Sequence, residues 1–236
     1  MIVKNKKPFT VGMFFAISFL AVLALIFSPV FNGKNGLVFS DDMFNKLSKG
    51  SSYFIPKVAK SLGSANGKTL SVTINLDNVE EVENTSKLFS TAGAAIETQD
   101  TQLKIEGDLG AILQSVLKDA DAMYNNDGKA VTDRYGYDEK KAMKNWWTAL
   151  DKASKKLKKE KLVAEAKIID EVNKKAVEPG YNFYMIEANK VVDHAVMMSG
   201  LLVFYVAYTM WWGYAIFYIF DGIGLSMKKA KVKKEA

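Results

Sequence analysis

Two stretches without a single charged side chain, residues 8–33 and 195–220, constrain this chain more than any other feature. About 20 apolar residues in a helix cross a hydrocarbon core of ~30 Å. The sequence therefore predicts transmembrane helices over 9–31 and 195–220, and whatever lies between must fold around that fact. The first run is longer than the apolar region of a cleaved signal peptide, and Phe27-Ser28-Pro29-Val30-Phe31 offers no small-x-small cleavage site. It reads as a retained signal-anchor.

Charge sets the expected orientation. Residues 8–220 carry 24 basic and 24 acidic side chains, so the net +6 belongs wholly to the tails. Lys4, Lys6 and Lys7 precede the first span; Lys228, Lys229, Lys231, Lys233 and Lys234 follow the second. Basic residues flanking a span mark its cytoplasmic side and favour anionic lipid headgroups. Both tails, 1–8 and 221–236, are expected in the cytoplasm, with the central chain outside. The pI of 9.1 is thus a topology signal, and no nucleic-acid partner is expected. The absence of cysteine removes disulfides and thiol chemistry, and fits an extracytoplasmic domain on the inner membrane of a prokaryote.

The spans carry features of their own. Ser18, Ala21, Ala24 and Ser28 draw a stripe of small residues within an arc of about 120° on the first helix. Tyr208, Trp211 and Trp212 place polar-tipped aromatics near the middle of the second, where O–H and N–H groups seek a protein partner. Small stripes permit close helix approach in lipid. The small-residue groove is therefore expected to receive the aromatic face, within one chain or between chains.

The predicted fold class is an α+β membrane protein whose two terminal spans flank an extracytoplasmic domain. Residues 32–68 read as a juxtamembrane helix, over about 41–62 with a break near Pro56, and a linker. Residues 69–126 form a small antiparallel βαββα module. Leu70, Val72, Ile74 and Leu76 alternate with polar neighbours as a half-buried strand does. A helix is expected over 78–91, then a hairpin of 94–98 and 102–106, then a helix opened by Asp108. This order is like part of a ferredoxin-type sandwich. Residues 127–194 read as long helices, the last continuous with the second span as a stalk.

Site chemistry is mostly excluded by spacing. In Asn125-Asn-Asp127-Gly128 the EF-hand glycine would put Met123 and Arg134 at positions that require oxygen ligands. His194, the only histidine, cannot by itself complete bis-His haem ligation. Walker and dinucleotide glycine patterns are missing. The aromatic residues Tyr135, Tyr137, Trp146 and Trp147 read as core and interface, and the lysines at 155–161 as a solvated face. No catalytic residue, cofactor or metal ligand is expected.

These readings converge on a non-enzymatic accessory or scaffolding subunit of a membrane assembly, with lipids and other membrane subunits, or copies of itself, as partners. The order of span, α+β module, long helices and span is similar to that of polysaccharide co-polymerases. That resemblance implies a homo-oligomeric scaffold setting glycan chain length, although the family's proline-rich segment before the second span is not matched here. An envelope ligand sensor is the third expectation.

Overall fold

A computed structural model describes residues 3–225, the side chain of Ser64 aside. It contains two compact units: one formed by the chain up to Phe44 together with the chain from Lys190, and one formed by Asn45–Asn189.

The first unit is built on an antiparallel helix pair, α1 (Lys6–Phe27) and α10 (Ala195–Ile223). At 1.5 Å per residue these helices are about 33 and 43 Å long, and both are long and apolar enough to cross a membrane. Few of their residues are buried, as expected of helices whose apolar surface is not covered by protein. On α10 the inward positions Leu201, Tyr208, Ala215 and Gly222 recur every seven residues, the spacing of a supercoiled seam. Closest approach is made possible by glycine. A Cβ on Gly12 would stand 2.6 Å from the Ile219 nitrogen, and one on Gly222 2.6 Å from the Phe9 side chain. The chain before α1 also caps α10. The N–H groups of Lys4 and Asn5 donate to the Gly222 carbonyl at 2.9 and 2.8 Å, satisfying an acceptor that a helix C-terminus leaves open.

Gly12→Leu is expected to force this pair apart. In a chain that has no cysteine, F15C and Y218C, whose aromatic rings stack at 6.2 Å, can be joined by the shortest bis-methanethiosulfonate linker. Cross-linking should be efficient in the parent and fall severalfold with Gly12→Leu. Equal yields would show that the glycine contact does not hold the pair.

The second unit holds a three-stranded sheet, β1 (Thr69–Asn75), β2 (Ala95–Gln99) and β3 (Gln102–Asp108), in the order β1-β3-β2 with both neighbours antiparallel. The hairpin β2–β3 folds back so that β3 lies between the other two strands, a split βαβ arrangement built on the predicted order of strand, helix, strand and strand. Helix α4 (Val79–Thr91) makes the crossover, and α5 (Leu109–Tyr124) follows β3. Asn78 and Asp108 cap these helices by accepting from the N–H groups of Glu81 and Ala111. The strand alternation is realised: Leu70, Val72 and Ile74 are buried, and Ser71 and Thr73 face outward.

Helices α3 (Ile55–Ser61), α6 (Gly128–Tyr135), α7 (Glu139–Lys159), α8 (Val163–Val172) and α9 (Glu178–Asn182) complete the unit, with a π-helical turn at Asn173–Val177 between the last two. Helices α4, α5 and α7 cover the apolar face of the sheet. One continuous core runs from Ile55 to Val177, with the Phe89 ring edge-on to Trp146 at 4.8 Å. It therefore joins the 69–126 and 127–194 segments.

Three expectations are corrected. The first helix after the link, α2 (Gly36–Ser51), begins at Gly36 rather than about 41. Asn35 accepts from the Val38 N–H at 2.9 Å and caps the helix ahead of the acidic pair Asp41 and Asp42. The long helical region also stops at Lys159. Lys161 adopts φ +66°, with the Leu162 N–H on the Leu157 carbonyl and the Lys161 N–H on that of Lys158. This is a Schellman cap with lysine where glycine is usual, so no glycine announced it.

The third correction is the stalk. Residues 183–190 are not helical and lead into a 3-10 turn at Val191–His194, so no helix is continuous with α10. The reason is local satisfaction of the backbone by side chains. Asn126 accepts from the Met185 N–H and donates to the Ile186 carbonyl, while Lys49 donates to the carbonyls of Phe183 and Ile186. With those groups paired, and Met185 at φ +66°, a helical hydrogen-bond ladder has no advantage there.

Candidate functional site

A depression of the 45–189 unit lies between α7 and α9. Met143, Lys144 and Trp147 project from one face of α7, and Val177, Glu178, Tyr181 and Asn182 from the π-helical turn and α9. Its volume of about 380 Å³ falls in the range of small-molecule sites. Trp147 is 41% exposed, and its indole N–H donates to Glu178 Oε1 at 3.0 Å, which fixes the ring as part of the wall. Asn173 donates to the Trp147 carbonyl at 3.2 Å, while its own Oδ1 is buried with no partner. A π-helical turn inserts a residue into the helical register, and here it directly precedes Glu178. The groove thus has an apolar wall, one carboxylate, one ammonium and one amide. That chemistry can hold a ligand; it provides no activated nucleophile.

Sequence reasoning grouped Trp146 with Trp147, but the structure separates them. Trp146 is fully buried and donates to Asp119 Oδ2 at 2.9 Å. Asp119, also fully buried, accepts further from Arg134 and Tyr135. Arg134 is the only arginine in the sequence, and the planar fork of donors on a guanidinium suits a carboxylate shared with other donors better than the point charge of a lysine. Two acids that follow in the sequence are similarly occupied. Asp121 accepts from the Tyr53 hydroxyl at 2.6 Å, and Asp127 caps α6. Among the described residues no cluster of three or more His, Cys, Asp or Glu is placed to hold a metal.

Tyr135 and Tyr137 have their phenol pKa values pushed up to about 12, chiefly because burial disfavours the charged phenolate. The folded chain keeps these protons between pH 10 and 12 while the unfolded chain loses them. Their contribution to stability is therefore complete below about pH 10 and is lost as pH rises through about 12. Alkaline titration followed by phenolate absorbance should show a late-titrating fraction that appears together with unfolding. Replacing both residues with Phe should remove that fraction.

In the helix pair, the predicted aromatic face does meet α1. Trp211 donates its indole N–H to Ser18 Oγ and the Phe15 carbonyl, each at 3.2 Å. Tyr208 stacks on Phe19 at 4.1 Å between ring centroids, and Trp212 lies 4.7 Å from the same ring. Of the small-residue stripe, only Ser18 takes part in this contact within the chain. Ala21 and Ala24 are exposed, and Ser28 donates to the Leu25 carbonyl beside it. Phe19 presents a flat ring to the aromatics, and the buried small residues of α1 are Gly12 and Ala16. Lys4, Lys6 and Lys7 are exposed where the N-terminal end of α1 meets the C-terminal end of α10. Lys228, Lys229, Lys231, Lys233 and Lys234 lie outside the described residues.

Glu178, Tyr181 and Lys144 escaped the sequence reading. Trp147 and Glu178 are 31 residues apart, and only the packing of α9 beside α7 brings them together. Comparison of the chain with protein-family models, with curated proteins and with solved structures finds no match.

Proposed function

We propose that this chain is a non-enzymatic two-pass protein of a prokaryotic inner membrane, an accessory or scaffolding subunit. In this reading α1 and α10 anchor it, both tails lie in the cytoplasm, and the 45–189 unit is presented outside. One observation carries it: an antiparallel pair of long apolar helices with its outer flanks uncovered brackets a separately cored domain. Exposed apolar surface on that scale belongs in lipid or against other spans. The basic residues 4, 6 and 7 at one end of the pair support the orientation.

Two measurements test this. With single cysteines introduced into the cysteine-free chain, a membrane-impermeant maleimide applied to intact spheroplasts should label Lys167→Cys and spare Lys4→Cys. The reverse pattern would overturn the orientation. Purification of the tagged full chain in gentle detergent, followed by native mass analysis, should yield stoichiometric foreign subunits. A clean homo-oligomer would sink the accessory reading and favour the co-polymerase-like scaffold.

The groove at Trp147 favours a second reading, an envelope sensor that binds a small ligand. A compound that raises the melting temperature of the wild-type chain, but not of Trp147→Ala, would support it.

A further inference from the structure

We propose that the outer edge of β1 binds an extended acidic segment of a partner polypeptide as a fourth strand of the sheet. The proposal does not depend on the membrane reading. It rests first on backbone geometry. β1 is a terminal strand of the sheet. Its bonding phase is set by the Leu109 N–H on the Lys68 carbonyl and the Leu76 N–H on the Thr101 carbonyl, each at 2.8 Å, together with the register Leu70↔Gly107 to Asn75↔Gln102. Even-numbered residues of β1 therefore exchange bonds with β3. The N–H and C=O groups of Thr69, Ser71, Thr73 and Asn75 point away from it.

An edge of this kind is a template for another strand, and proteins normally blunt it with charge, proline or a bulge. Thr69-Leu-Ser-Val-Thr-Ile-Asn75 contains no charged residue and no proline, and pairs with β3 in uninterrupted register. The charge stands alongside instead. Lys152, Lys155, Lys156 and Lys159 fall at i, i+3, i+4 and i+7 on α7, and together with Thr73 and Asn75 they line a groove of about 440 Å³. Lys152 already shows the interaction at the edge, donating to the Asn75 carbonyl at 2.7 Å.

No acidic side chain lines this groove. Lys152, Lys155 and Lys156 have acidic neighbours in Asp77, Asp151 and Glu160, whereas Lys159 enters no ion pair among the described residues. A row of ammonium groups beside this edge repels basic strands and attracts one whose side chains on that side are carboxylates. The lysines alone would suit any polyanion. The open backbone edge is what selects an extended peptide.

The test uses the full chain in mild detergent and a fluorescein-labelled peptide of about eight residues alternating Glu with Val, followed by anisotropy. Saturable binding is expected, and it should weaken as salt rises. The triple variant K155E/K156E/K159E should bind about tenfold more weakly or worse. A peptide of the same charge with alternate backbone amides N-methylated should lose roughly tenfold against the unaltered protein, and this arm stands even if the triple variant fails to fold. Equal binding of the methylated peptide, or tighter binding of inorganic polyphosphate than of the peptide, would overturn strand addition in favour of a simple anion-binding face. Absence of peptide binding would overturn the proposal outright.

Discussion

Asp119→Ala is expected to lower the stability of the 45–189 unit by about 3–5 kcal/mol, the range for removing one partner of a buried ion pair. Asp119 has no exposed side-chain surface and accepts from Arg134, the Tyr135 hydroxyl and the Trp146 indole. Truncation leaves a part-buried guanidinium and a buried hydroxyl and indole N–H without their acceptor. For a unit of this size each kcal/mol is worth about 2–4 °C, so the melting temperature of the full chain should fall by roughly 10 °C or more. Trp146 lies at the altered site, and tryptophan fluorescence should follow the same lowered transition. Asp119→Asn should also destabilise, because its amide turns a donor toward groups that are themselves donors. A melting temperature unchanged within about one degree for Asp119→Ala would show that the three donors find other partners.

Lys49→Met is expected to have the next largest effect, about 2–3 kcal/mol, by the cost of leaving buried acceptors unmade. Lys49 is 3% exposed and enters no ion pair among the described residues. Its ammonium donates to Asn126 Oδ1 at 2.9 Å, the Phe183 carbonyl at 3.0 Å and the Ile186 carbonyl at 2.6 Å, and lies over the Tyr124 ring. Burial holds its pKa below the ordinary lysine value. Methionine preserves the apolar stem and deletes only the charge. Relief of the desolvation cost offsets part of the loss, which is why the expected figure stays below that for Asp119. The variant should also make a local change. Residues 183–189 have little regular hydrogen bonding to fall back on, so their amide exchange and proteolytic cutting should rise well beyond those of α5 or α7. Unchanged exchange in that segment would show that Asn126 holds it unaided.

The helix pair and the small sheet were legible in the sequence because their signals are local and periodic. Two long uncharged runs define α1 and α10. A period-2 run defines β1, and asparagine or aspartate at the right offset opens α4 and α5. The helix ends were less legible. The break at Lys161 is made with a lysine in a glycine's conformation, and the segment after Asn182 is held out of helix by Lys49 and Asn126, both distant in sequence.

The sequence by itself determined where apolar surface must be hidden and where charge must stay outside, since hydropathy and its period are properties of neighbouring residues. Only the tertiary structure decided which partner each polar group finds. It spent the single arginine on Asp119, turned Trp146 inward and Trp147 outward, and moved the close approach of the helices from Ala21 and Ala24 to Gly12 and Ala16. It also set four lysines of α7 beside an open strand edge. Those outcomes depend on packing between elements tens of residues apart, where small differences in register choose among partners that the local sequence leaves equivalent.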